Sequence, residues 1–186
     1  MSSRHVLLTY RDYAALPDDG RRYEIHDGEL SVTPAPNLLH QRCLANLFLA
    51  LNAHVRAHGF GEALFAPLDV ILADTVTDTT IVQPDLIFLD QACRDRVSRR
   101  GIEGPPTLAV EILSPSTAAI DRGTKLRLYA RRGVPFFWIV DPEARTIDAY
   151  TLTGNRYAPP LRAAGREPVD LPPFAGLALV PATLWP

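Results

Sequence analysis

The sequence predicts an α/β sandwich in one domain. Three observations carry this. Helical periodicity is confined to two stretches, apolar runs of strand length lie between and after them, and an Asp-Gly pair separates two short alternating segments near the N-terminus. The 186 residues suffice for one full core, so residues 1–186 are expected to form one domain.

Taken in order, "RRYEIHDGELSV" reads as a β-hairpin turning at His26, Asp27 and Gly28, because Asp-Gly tolerates the positive φ angles of a tight turn. Asn37 is a good N-cap, and Leu44, Leu47, Phe48, Leu51 and Val55 follow at helical spacing until Gly59 ends the helix. "APLDVIL" alternates. "IVQPDLIFLD" and "TLAVEIL" are near-continuous apolar runs, as central strands buried on both faces should be. Between these two lies an arginine-rich connection. A second helix is expected over Asp121–Arg132 with Gly133 as its cap, then strands "PFFWIV" and "TIDAYTL" joined by "DPEAR". Residues 157–186 hold seven prolines and an apolar end, and read as an extended tail packed on the body or on a partner subunit.

Composition narrows the classes. No apolar run approaches the roughly twenty residues a membrane span needs, and the first residues lack a secretory pattern, so a cytoplasmic protein without membrane association is expected. Cys43 and Cys93 stand far apart without CxxC spacing, which points to reduced thiols. His54 and His58 lie four apart but lack the glutamate of an HExxH motif. A net charge of −2 argues against bulk electrostatic coating of nucleic acid, although local basic patches exist. Arg94, Arg96, Arg99 and Arg100 form one, and Arg122, Arg127, Arg131 and Arg132 another. Each is either a phosphate-tracking surface or a solvated face.

Three charged residues stand out chemically. Asp85 and Glu111 lie inside apolar segments, where an ionised carboxylate is costly unless paired or bound to a metal. Adjacent strands can bring both to one sheet face, and oxygen donors suit Mg²⁺ or Mn²⁺. Alternatively, Asp85 merely starts a strand and Glu111 pairs with an arginine. Lys125 is the single lysine beside eighteen arginines. Its compact ammonium suits contact with a reacting oxygen, and its pKa moves readily; Asp121, four residues earlier, also makes an ordinary helical ion pair available.

The segments "YEIHDGEL", "LLHQRCLANL", "VQPDLIFLD", "LAVEILSPST" and "DRGTKLRLYARRGVPFFWIVDP" together resemble the PD-(D/E)XK superfamily, and within it the Uma-type (Uma two) endonucleases. The resemblance runs from about Tyr10 to Tyr150. It implies a restriction-endonuclease-like mixed sheet flanked by helices with an N-terminal hairpin, a metal site at Asp85 and Glu111, and a catalytic Lys125. It further implies Glu29 as an added acid and His40 as a residue lining the site. Leu113 stands where an ExK motif would put its lysine, so the resemblance requires the lysine to have moved to the next helix.

The expected activity is hydrolysis of DNA by a homodimer using Mg²⁺ or Mn²⁺. Arg94, Arg96, Arg99, Arg100, Arg127 and Arg131 are then candidate phosphate contacts. The rivals are a catalytically silent binding or assembly module on the same fold and a hydrolase of small phosphoesters. No glycine-rich phosphate loop supports the latter.

Overall fold

The computed structural model describes residues 7–186. Its elements are α1 (Tyr10–Ala14), β1 (Arg22–His26), β2 (Glu29–Thr33), α2 (Leu38–His58), β3 (Gly61–Phe65), β4 (Val70–Asp74), β5 (Thr79–Val82), β6 (Leu86–Asp90), β7 (Val97–Ser98), β8 (Gly101–Glu103) and β9 (Leu108–Ile112). There follow α3 (Ala118–Ile120), a π-helical turn (Asp121–Lys125), α4 (Leu126–Arg131), β10 (Phe136–Asp141), β11 (Thr146–Thr153), β12 (Arg156–Tyr157) and β13 (Leu161–Ala164). Short 3₁₀ turns occupy Gln91–Arg96 and Pro181–Thr183.

The strands form two mixed sheets. The first has the order β2-β1-β5-β4-β8-β7, and the second β12-β11-β10-β9-β6-β3 with β13 also on β11. The parallel neighbours β9 and β10 are joined by the helical stretch from Ala118 to Arg131, because parallel pairing demands a crossover.

Local sequence explains the boundaries. Asp27 and Gly28 have φ of 52° and 86°, the paired positive values of a two-residue hairpin turn. The Asn37 side chain accepts the His40 N–H to start α2, and Gly59 ends it at φ 64°. Helix 118–131 begins three residues before the expected Asp121 and contains a π turn, which turns Asp121 and Lys125 inward.

The run from Ile81 to Asp90, expected as one strand, is two strands in different sheets. Pro84 has no N–H to give a ladder, and the Gln83 N–H goes to Glu24 Oε1 at 2.6 Å, so the chain leaves the first sheet here and enters the second. Strands β3, β7 and β8 were not expected. The latter two have two and three residues within the arginine-rich connection, too few to show a period.

Alternation along β9 assigns its faces. Val110 and Ile112 join Trp138 and Val140 against Leu47 and Leu51 of α2. Ala109 and Leu113 share the other face with Phe137 and Ile139, under Leu128 and Tyr129 of α4 and beside Val70 and Val82 of the first sheet. The tail covers the α2 side: Leu171, Phe174, Leu179 and Leu184 are buried there, and Trp138 Nε1 donates to the Pro172 carbonyl at 2.7 Å. No helix among the described residues is long and apolar enough to cross a membrane.

Candidate active site

The polar cluster lies where the two sheets meet. In the antiparallel β6–β9 pairing Leu86 faces Val110, so the same register carried one residue further sets Asp85 opposite Glu111. Both side chains are therefore on one face. On β1, Arg22, Glu24 and His26 share a face by the same alternation, and Ile25 packs oppositely against Ile71 and Ile81. The π turn brings in Asp121 and Lys125. Glu24, Asp85, Glu111, Asp121 and Lys125 are each at most 3% exposed.

Lys125 Nζ donates to Glu111 Oε1 at 2.9 Å and to Glu24 Oε1 at 3.1 Å, and stands 3.8 Å from Asp121. Tyr129 donates its hydroxyl to Glu111 Oε1 at 2.6 Å. Asp85 has a different set: Arg22 Nη1 at 2.8 Å on one oxygen, and the Ile112 N–H at 2.8 Å with His40 Nε2 at 3.0 Å on the other. A cavity of about 30 Å³ is lined by Arg22, His40, Asp85, Glu111, Asp121 and Lys125. The buried Thr33 Oγ1 and His40 Nδ1 have no hydrogen-bond partner among the described residues.

Four carboxylates share two permanent cations, and the titrations follow. Burial favours the neutral form of Lys125, but Glu111, Glu24 and Asp121 outweigh it and hold the ammonium protonated. The movable pKa of this lysine is thus shifted upward. Burial works against ionised Glu24, and Lys125 with His26 overcomes it, drawing the carboxyl down to about 2. Asp85 is also lowered, its hydrogen bond and charge contact with His40 and the Arg22 charge prevailing over burial. Glu111 is left as the strained member: burial raises it well above the carboxylate range, and the charges of Asp121, Asp85 and Glu24 add to that against the pull of Lys125.

The donor chemistry fits a hard divalent ion. The excess of acids over cations leaves negative charge for such an ion to balance, and Asp85 and Glu111 offer oxygen donors beside one cavity. Among the described residues no three His, Cys, Asp or Glu side chains stand as a ready-made ligand group. Mg²⁺ does not require one, since it keeps several waters and binds through one or two carboxylates.

The structure brings Asp85, Glu111, Lys125 and His40 together but not Glu29. In the hairpin register Glu29 faces His26 beside the turn and is exposed, whereas Glu24 lies deeper in β1 and takes the third acidic position. Sequence reasoning missed Glu24, Arg22 and Tyr129. Arg22 and Glu24 alternate with Tyr23 and Ile25 as on any half-wet strand, and the Gln83 N–H, His26 and Lys125 of the π turn together enclose Glu24.

The arginines divide. Arg100 binds Asp74 at 2.7 Å and Glu103 at 2.8 Å, and lies 4.4 Å over the Tyr10 ring. Arg131 pairs with Asp27, and Arg96 donates to the Pro105 carbonyl. Arg94, Arg99 and Arg127 are exposed without an ion pair among the described residues. The 94–100 run borders β7, four strand positions from β1 and on the order of 19 Å away.

A family model, Uma2, described as "Putative restriction endonuclease", matches residues 10–182. Among solved structures, the fold is similar to that of "a putative nuclease belonging to DUF820" from Anabaena variabilis ATCC 29413, with a TM-score of 0.73 and 19% identity over 95% of this chain and 97% of that one. No functionally curated protein matches.

Proposed function

We propose, for a chain that belongs to the Uma2 restriction-endonuclease family, a metal-dependent endonuclease that hydrolyses phosphodiester bonds of DNA. The observation that carries this reading is the convergence of Asp85, Glu111 and Lys125 on one small cavity at the sheet junction. Asp85 and Glu111 are the residues that would hold Mg²⁺ or Mn²⁺. When bound, such an ion polarises a phosphodiester and lowers the pKa of its water.

The protein's own groups have separable tasks. Lys125, kept charged by three carboxylates, offers a hydrogen-bond donor and a positive charge to phosphoryl oxygens as their charge grows. It does not accept the proton of the attacking water. Tyr129 fixes one oxygen of Glu111, and the Ile112 N–H with Arg22 fixes Asp85. A homodimer would give each DNA strand one such site.

The test is cleavage of supercoiled plasmid and of single-stranded DNA with Mg²⁺ or Mn²⁺, wild type beside Lys125→Ala. Metal-dependent cleavage lost in the variant, at unchanged circular dichroism, supports the reading. Equal cleavage by both overturns the role of Lys125, and cleavage by neither overturns the nuclease. A second reading, a silent binding module, draws on Asp85, whose two oxygens already have three donors within the protein. Under that reading Glu111→Ala keeps DNA affinity and there is no cleavage to lose.

A further inference from the structure

We propose that a trough along α2 binds an unpaired nucleic-acid strand and leads it to the site, which makes single-stranded or locally melted DNA the substrate. This rests on the nuclease reading above. The catalytic carboxylates and Lys125 are almost wholly buried, and their cavity holds little more than a water or an ion. A duplex is stiff over a site of this length, whereas an unpaired strand bends freely toward the cavity. Such a strand reaches it, provided the surface offers a path.

Such a path exists. One wall is a stripe of α2, Gln41, Ala45, Phe48, Asn52 and Arg56, spaced four, three, four and four residues apart and therefore on one face. From Gln41 to Arg56 it rises about 22 Å. The other wall is β3, the edge strand of the second sheet, with Ala66 and Pro67 after it. Three concavities follow one another between these walls and share residues where they meet. The first, about 590 Å³, and the second, about 310 Å³, share Phe48 and Phe65. The second and the third, about 430 Å³, share Gln41 and Ala66. The third shares Arg22, Pro34 and Pro36 with the catalytic cavity.

The chemistry of the trough alternates as a single strand demands. Arg56 and Arg94 line its outer end, Arg94 without an acidic partner among the described residues, and Arg21 with Arg22 lines its inner end. Between them Phe65 is 51% exposed and meets Phe48 edge-on at 4.7 Å. An exposed aromatic held by a second ring is a stacking platform for any base, and arginines on either side match the phosphates before and after it. Arg21 and Arg22 are paired with Asp19 and Asp85, so among the described residues the unpaired positive charge of the trough is that of Arg56 and Arg94 at its outer end, beside Glu62.

The experiment is fluorescence anisotropy of a labelled oligothymidylate of about fifteen nucleotides, a length within the range single-strand sites cover, in EDTA so that binding is read without cleavage. Wild type should bind it more tightly than a duplex of equal length. Phe65→Ala and the exposed Arg94→Glu should each weaken binding about tenfold, with circular dichroism unchanged, and Glu111→Gln should leave it intact. Equal or tighter binding of the duplex, or unchanged affinity in both trough variants, overturns the proposal. So does absence of binding at low salt, which would leave the exposed Phe65 face to a protein partner. The two readings fail separately. Oligothymidylate binding that obeys these rules, with neither plasmid nor single-stranded DNA cleaved in Mg²⁺ or Mn²⁺, sinks only the nuclease. Cleavage with binding indifferent to Phe65 and Arg94 sinks only the trough.

Discussion

Two charged regions of this molecule differ in nearly every physical respect. At the sheet junction, Glu24, Asp85, Glu111, Asp121 and Lys125 come from four separate segments, are buried, and carry an excess of acid. At the far edge, Arg94, Arg96, Arg99 and Arg100 are neighbours in sequence and none is buried, and Arg100 finds its acids on the nearby strands β4 and β8. Density of charge along a chain therefore says little about where chemistry sits. Burial raises the energy of each interaction, because the same ion pair is worth several times more away from water.

That contrast can be broken most forcefully by removing the junction's cation. Lys125→Met retains much of the side chain's bulk but leaves Glu24 and Glu111 buried without their common partner. Stripping one member from a buried ion cluster costs about 3–5 kcal/mol, so urea denaturation should show a midpoint far below wild type. A change within about 0.5 kcal/mol, typical of a surface site, would mean that water reaches the junction as it reaches the edge.

Acid should act next most strongly. Glu24 has its ordinary value near 4.5 when unfolded and about 2 when folded. A lowered acid contributes stability that is complete above its unfolded value and fades as pH falls toward the folded one. The loss should run from roughly pH 4.5 to pH 2 and amount to on the order of 3 kcal/mol. Glu24→Gln should flatten that part of the stability–pH curve, and an unchanged slope would remove Glu24 as its source.

Glu111 sharpens the comparison in the opposite direction. Its carboxylate is disfavoured where it stands, because burial and three further acids outweigh Lys125. Glu111→Gln removes the disfavoured charge at constant shape and should hold or raise thermal stability by about 1 kcal/mol, while abolishing metal-dependent cleavage. A site that resists the stabler residue is one kept for chemistry. If Glu111→Gln destabilises as much as Lys125→Met, Glu111 is a structural partner and the silent-module reading gains.

These residues also mark how far sequence could reach. Asp85, Glu111 and Lys125 were legible because each contradicts its surroundings: a carboxylate within an apolar run, or one lysine among arginines. The hairpin turn and α2 were legible because Asp27, Gly28, Asn37 and Gly59 act locally. Glu24 was not, since alternation in "RYEIH" is that of any strand with one wet face, and its partners Gln83 and Lys125 lie 59 and 101 residues further along. The break at Pro84 was hidden for a related reason: apolar residues continue on both sides, and only the pairing partners reveal two sheets.

The smallest effect belongs to the arginine-rich edge. Arg100 has every geometric advantage a surface residue can have, bridging Asp74 and Glu103 and lying over Tyr10. Its partners nonetheless sit in contact with water, which screens the charges, and ordering a long side chain offsets part of the gain. Arg100→Ala should lower the unfolding free energy by no more than about 1 kcal/mol, read as a small fall in the urea midpoint with the denaturant slope unchanged. Raising the salt toward 1 M should shrink even that, because the screening length falls to about 3 Å. A loss as large as that of Lys125→Met, or one indifferent to salt, would make this edge a second structural centre.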